Sequence, residues 1–311
     1  MRLNEERIQQ QRWRNWIHSG LLLGALIGQA AALGWLLSGW FGVILAGALT
    51  AAGVMAGLRT SPWMVLRMYR ATPLRPEQAP GLYRVLGVLT ERAKLPRRPV
   101  LFYIPSSVPN AMSLGRRDAS VVALTDGLIR RLSPRELTGV LAHEVSHIKH
   151  GDLVVMGVAD SLSRITAVLG QVGLLMALFA FFFGWWQTVY VGLILGAGPT
   201  ISTLLMMALS RQREFAADLG AVELTGDPRG LANALAKIER RSRLWDRVLG
   251  MPGQDPNPSL LRSHPATDQR LEMLRDLTVE GVAPIRHPIE PPQDFDEVQR
   301  PGRARAWGTW F

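Results

Sequence analysis

The chain has 311 residues, 48% of them hydrophobic, no cysteine, and a formal net charge of +10. Without cysteine it has no disulfide, no thiol nucleophile and no Cys-based zinc site, and the composition fits a reducing compartment. The positive charge shows no basic patch interleaved with base-stacking aromatics, so it calls for no nucleic-acid partner.

Residues 1–16 form a basic N-terminal segment carrying Arg2, Arg7, Arg12 and Arg14. From Asn15 to Leu58 there is no Asp, Glu, Lys or Arg. That run is long enough for two membrane crossings of ~20 residues. It divides at Ser38-Gly39-Trp40, which predicts helices over 17–37 and 41–58, a transmembrane hairpin. A cleaved signal peptide fits less well. A second apolar stretch follows at once, and no short apolar core with a cleavage site precedes a soluble domain.

Residues 59–164 form the first part of a soluble domain. An amphipathic helix is expected over 82–95. Short strands are expected over 99–105, 110–114 and 120–124, separated by Gly, Asn, Asp and Pro turns. Ser133-Pro134-Arg135-Glu136 then reads as a helix start: Ser at the N-cap, Pro at the first helical position and Glu closing a capping box. Leu137, Val140, Leu141, Val145 and Ile148 recur at helical spacing, and Gly151 is a fitting stop.

A second uncharged run, Ile165–Ser210, predicts another hairpin, with spans over 165–183 and 188–208 joined at Gly184-Trp185-Trp186-Gln187. Pro199 falls inside the fourth span, where neighbouring helices tolerate it. Helices over 211–224, 227–241 and 265–277 complete the second part of the soluble domain (211–277). Residues 278–311 are a Pro-rich irregular tail. The basic residues near the span ends (Arg14, Arg59, Arg67, Arg164, Arg211, Arg213) all lie on one side, while the two short turns carry no charge. Positive residues stay cytoplasmic, so both termini and the soluble chain are expected there. Trp35, Trp40, Trp185 and Trp186 suit the far interface, and Trp13, Trp16 and Trp63 the near one.

The chemistry concentrates in Ala142-His143-Glu144-Val145-Ser146-His147. Residues four apart share a helix face, so the two imidazoles can ligate one metal ion. Glu144 projects beside that ion, where it can take a proton from bound water. Two histidines and a base at this spacing form the zinc-peptidase pattern. The competing reading, two ordinary polar or core histidines, is weaker for a pair that flanks Glu on a capped helix. A catalytic zinc needs three protein ligands and one open position. His150 lies on the same helix stripe and converges poorly with the first two; Asp152 lies beyond the helix stop. Glu214, where the fourth span ends, is the stronger third ligand. Asp218, one turn later, can accept the other ring N–H of a ligating histidine and fix its tautomer. The plain alternative for both carboxylates is a solvated helix face.

At these residues the chain resembles the HtpX-like family of integral-membrane zinc metallopeptidases, relatives of the CAAX prenyl proteases. The resemblance rests on four features in order and covers residues ~15 to ~277. They are the N-terminal hairpin, His143-Glu144-Val145-Ser146-His147 with Gly151-Asp152, Arg211-Gln212-Arg213-Glu214-Phe215-Ala216-Ala217-Asp218, and Ser263-His264-Pro265-Ala266-Thr267-Asp268-Gln269-Arg270. Ala266 and Asp268 depart from the more usual Pro and Glu, so the last motif matches in outline.

The resemblance implies a mainly α fold with a small β-sheet: a polytopic membrane protein of about four transmembrane helices carrying a gluzincin-type zinc peptidase domain. It implies one Zn2+ per chain on His143, His147 and Glu214, with Glu144 as the base. Asn110-Ala111 resembles an edge strand beside the active site that pairs with an extended peptide. His264 resembles a histidine facing the scissile carbonyl, and reads equally as a helix-entry residue before Pro265. Arg213 either contacts carboxylates of the site or flanks the membrane. The expected function is a cytoplasm-facing endopeptidase in quality control at a bacterial plasma membrane, acting on unfolded or membrane-protein polypeptides. A CAAX-type processing protease and a non-enzymatic membrane scaffold are the alternatives.

Overall fold

The structure is a computed structural model and describes residues 2–59, 62–249 and 267–279. His264, the residues around it and the tail from 280 onwards lie outside the described residues. The chain divides into two compact units.

The first unit holds the described residues of 62–151 and 217–279. It opens with helix Pro62–Met68 (α2, after helix α1, Arg2–Arg59, of the other unit) and strand Thr72–Pro73 (β1). Helix Pro80–Ala93 (α3) comes next. It begins on a proline, whose missing N–H costs nothing at a helix start. It ends on Lys94 in the left-handed region (φ 53°), whose amide donates to the carbonyls of Thr90 and Glu91. The expected helix over 82–95 is therefore shifted by two residues. Strands Val100–Ile104 (β2), Ala111–Arg116 (β3) and Ala119–Thr125 (β4) join β1 in one sheet of order β1-β2-β4-β3. β2 and β4 run parallel; β3 pairs antiparallel with β4 from Ala111↔Leu124 to Arg116↔Ala119. Side-chain alternation sends Leu101, Tyr103, Val122 and Leu124 into the main core. Phe102, Ile104, Val121 and Ala123 go to a second cluster with Leu66 and Tyr69. Both faces of the sheet are covered, which is why β2 and β4 read as nearly continuous apolar runs.

Helix Asp126–Arg131 (α4), capped by Thr125, was not expected from periodicity because it is barely more than a turn long. Helix Pro134–His150 (α5) is central: every residue from Glu136 to Ile148 is buried. Helices Pro228–Leu249 (α8) and Thr267–Val279 (α9) complete the unit, and Leu231, Ala234, Leu271 and Leu274 join the same core.

The second unit holds residues 2–60 and 152–216. Helix Arg2–Arg59 (α1) breaks at Ser38 and Gly39, the latter at φ 57°. The two arms fold back closely: a Cβ on Gly34 would stand 2.6 Å from the carbonyl oxygen of Gly42. The other long helices are Asp152–Phe182 (α6) and Trp186–Thr225 (α7). Among the described residues three helices are long and apolar enough to cross a membrane (Trp13–Ala56, Asp152–Phe182 and Trp186–Thr225), and the break in the first turns it into two arms. α6 and α7 pack through small residues; a Cβ on Gly173 would meet the Gly192 carbonyl at 2.8 Å. Gln29 Nε2 donates to the Gly198 carbonyl (2.6 Å), Ser202 donates to Gln29 Oε1 (3.1 Å), and Ser202 and Thr166 hydroxyls lie 2.7 Å apart. In an apolar layer these groups have to satisfy one another.

Two expectations need correction. The fourth span and the helix over 211–224 are one unbroken helix, α7, which continues through Pro199. The third span likewise starts at Asp152, directly after Gly151.

Candidate active site

α5 is held at both ends. The Ser133 amide donates to Glu136 Oε2 (2.8 Å) and the Glu136 amide to Ser133 Oγ (3.4 Å), which completes the capping box. Lys237 Nζ of α8 donates to the same Oε2 at 2.7 Å. At the other end Gly151 adopts φ 69° and its amide donates to the carbonyls of His147 and Ile148. A left-handed residue is needed there, and glycine takes it without strain.

Between these anchors His143 and His147 stand one turn apart, 4% and 8% exposed. Their rings meet edge to face at 4.6 Å, and their Nε2 atoms approach to 3.0 Å. Glu214 of α7 supplies a carboxylate oxygen; the three ligand atoms all lie within 4.8 Å of one another. Glu144, adjacent to His143, is 2% exposed.

The donor set fits zinc. With Zn–N bonds of ~2.0–2.1 Å and tetrahedral angles, two ligating nitrogens stand ~3.3 Å apart. The observed approach of the Nε2 pair needs only a slight opening. Two imidazoles and one carboxylate also leave one position free, as in catalytic rather than structural zinc sites.

A carboxylate stands behind His143. Asp218, one turn after Glu214 on the same helix, places Oδ1 2.9 Å from His143 Nδ1. A proton held on Nδ1 leaves the Nε2 lone pair facing inward. Asp218 is fully buried, and a lone carboxylate there would be costly. Arg270 of α9 removes that cost: Nε donates to Oδ2 (2.6 Å) and Nη2 to Oδ1 (2.7 Å), with the arginine itself 1% exposed. Arg270 closes the fourth motif, but the sequence alone assigns it no role at the site. Its signal is present: it shares a face with Leu274 and Leu277, so a charge interrupts an apolar stripe. The approach of α7 to α5 is also steric. Gly220 faces Ser146, where any Cβ would overlap the serine hydroxyl.

The other expected residues fall as follows. Arg213 pairs with the Asp152 carboxylate and not with a metal ligand, and its guanidinium carbon lies 5.2 Å from the Trp16 ring centroid. His150 Nδ1 lies 3.2 Å from Ser146 Oγ, outside the metal-binding group. Asn110 locks the start of β3. Its amide donates to Thr125 Oγ1 (2.8 Å), and its carbonyl accepts from the Thr125 amide and hydroxyl, 3.0 Å each. Ala111 sends its side chain into the core, and its amide donates to Asn110 Oδ1 (2.9 Å). β3 is an edge strand, paired on one side only among the described residues. Away from the site, Asp227 is held by Arg135 through Nε–Oδ2 (2.5 Å) and Nη2–Oδ1 (2.7 Å). Burial works against the ionised Asp227, but these bonds and the Gly230 amide outweigh it and keep the carboxyl below its usual range.

Comparison with known proteins agrees with this geometry. Residues 76–278 match the model of Peptidase family M48. A "Protease HtpX homolog" of Pyrococcus furiosus is 34% identical over 85% of this chain and 96% of its own length. Proteins of the same name from Acaryochloris marina and Burkholderia mallei are 38% and 33% identical, over 83% and 86% of this chain and 92% and 98% of theirs.

Proposed function

The chain belongs to peptidase family M48, as an integral membrane protease, and from that premise we propose that it is a zinc-dependent endopeptidase cleaving polypeptides at the cytoplasmic face of a bacterial plasma membrane. The observation that carries the reading is the convergence of His143, His147 and Glu214 within 4.8 Å, with Glu144 beside them. Zinc held there supplies a Lewis acid that activates water and polarises the scissile carbonyl. Glu144 takes the proton from the attacking water and delivers it to the departing amine, so one carboxylate serves as base and then as acid. Asp218 and Arg270 hold His143 in its ligating tautomer. The free edge of β3 offers main-chain donors and acceptors to an extended peptide, which favours unfolded segments over folded ones. Glu214 lies on the helix that leaves the apolar span, which favours substrates already held at the membrane and so a role in membrane-protein quality control.

The test is bound zinc and casein cleavage for the detergent-purified protein and two variants. Glu144→Gln is expected to keep its zinc and lose ~10²–10⁴-fold in rate. Glu214→Ala is expected to lose zinc. Equal cleavage by wild type and Glu144→Gln would remove the proposed base, and undiminished zinc in Glu214→Ala the proposed ligand.

A further inference from the structure

The membrane unit has an apolar seam made by Leu22, Leu26 and Ala30 of α1, Val155, Ala159 and Leu162 of α6, and Leu205 and Leu209 of α7. Stepping one turn along each helix gives the next layer on the same faces. These are Ser19 and Asn15 on α1, Asp152 on α6 and Arg213 on α7. All four are polar, and all are buried: 5%, 6%, 3% and 3% exposed. Arg213 Nη2 is committed to Asp152. Three further atoms of the layer have no hydrogen-bond partner: Arg213 Nε, Asn15 Nδ2 and Ser19 Oγ.

Those three atoms share a chemistry. Both nitrogens can only donate, and the hydroxyl has a proton to give. What would complete them is an acceptor with several lone pairs. Exposed apolar side chains border the layer. Trp16 lies over the Arg213 guanidinium and is itself 49% exposed. Trp13, Ile17 and Leu21 beside it are exposed as well, an apolar surface suited to lipid. Arg14 and His18 are exposed on the same two turns and add basic character at the rim. Tryptophan and arginine at the end of an apolar span mark headgroup depth.

We propose that this layer binds the phosphate of an anionic phospholipid headgroup, which accepts from Arg213 Nε, Asn15 Nδ2 and Ser19 Oγ while an acyl chain lies along Trp16 and Leu21. Binding there ties α1 to the Arg213–Asp152 pair. The inference is independent of the zinc reading, since it concerns binding and not turnover.

The experiment is native mass spectrometry of the full chain after delipidation, titrated with phosphatidylglycerol, phosphatidylcholine or inorganic phosphate, with thermal unfolding in parallel. Phosphatidylglycerol is expected to be retained at least about tenfold more strongly than phosphatidylcholine and to raise Tm. Inorganic phosphate is expected to do neither. Asn15→Leu combined with Ser19→Ala removes two donors and is expected to abolish the preference; Asn15→Asp, nearly isosteric, checks the result in a fold less disturbed. Equal retention of the two lipids, or an unchanged preference in both variants, overturns the site. Stabilisation by inorganic phosphate equal to that by phosphatidylglycerol overturns the lipid as its source.

Discussion

Arg270→Met tests whether the ion pair behind His143, the proposed zinc ligand, shapes the proposed metal site or only the fold. Arg270 is 1% exposed and Asp218 not at all, and two bonds of 2.6 and 2.7 Å join them. Removing one partner strands a buried carboxylate, at a cost of ~3–5 kcal/mol. Loss of a group that orients a ligating histidine weakens metal binding ~10–100-fold, equivalent to ~1.4–2.7 kcal/mol. The two effects are separable. Thermal unfolding with chelator present reads the fold alone, and competition with a chromophoric chelator reads zinc affinity. Adding Asp218→Asn to Arg270→Met removes the stranded charge, so most of the stability is expected to return. Zinc affinity is not expected to return, because a neutral amide then faces His143 Nδ1. Wild-type zinc affinity in Arg270→Met would refute the positioning role. A double variant as unstable as the two single losses summed would refute the buried-charge argument.

Two further outcomes follow from the same coordinates. Gly220→Ala drives a Cβ into Ser146 Oγ and within 3.1 Å of His150 Cε1. It is expected to lower metal-free stability by ~1–3 kcal/mol, with part recovered by Ser146→Ala, measured as Tm; a neutral Gly220→Ala would mean that α7 and α5 are not in close contact there. Asp227 has a folded-state pKa below its unfolded value of ~3.9, so folding favours its ionised form. Its contribution is present above the unfolded value and lost as pH falls through the folded one. Asp227→Asn is therefore expected to flatten the acid limb of Tm against pH below about 4. At neutral pH it should cost less than ~1 kcal/mol, because Arg135 is 57% exposed. An acid limb unchanged by the substitution would place that titration elsewhere.

What is legible in the sequence is what helical periodicity and local capping encode. The capping box at Ser133, the stop at Gly151 and the four-residue spacing of His143 and His147 are each settled within one helix, so they read correctly from local pattern. The sheet is legible for the same reason: β2 and β4 are short apolar runs between turn residues, although the two-residue β1 is too short to announce itself. The misreadings are non-local. Arg270 meets Asp218 across 52 positions, and nothing within either helix says that the two will share a bidentate contact. Gly220 looks like a weak point in a helix until Ser146 is seen against it. The division of α7 between residues 208 and 211 follows from treating the end of an apolar run as the end of a helix. Hydropathy reports the solvent around a helix, and backbone geometry decides its continuity; α7 runs on unbroken past the end of its apolar run, even with Pro199 inside it. That continuity has a chemical consequence, because it fixes Glu214 and Asp218 exactly one turn apart. A break between them would leave each carboxylate in place in the sequence and still separate the proposed metal ligand from the carboxylate that stands against His143.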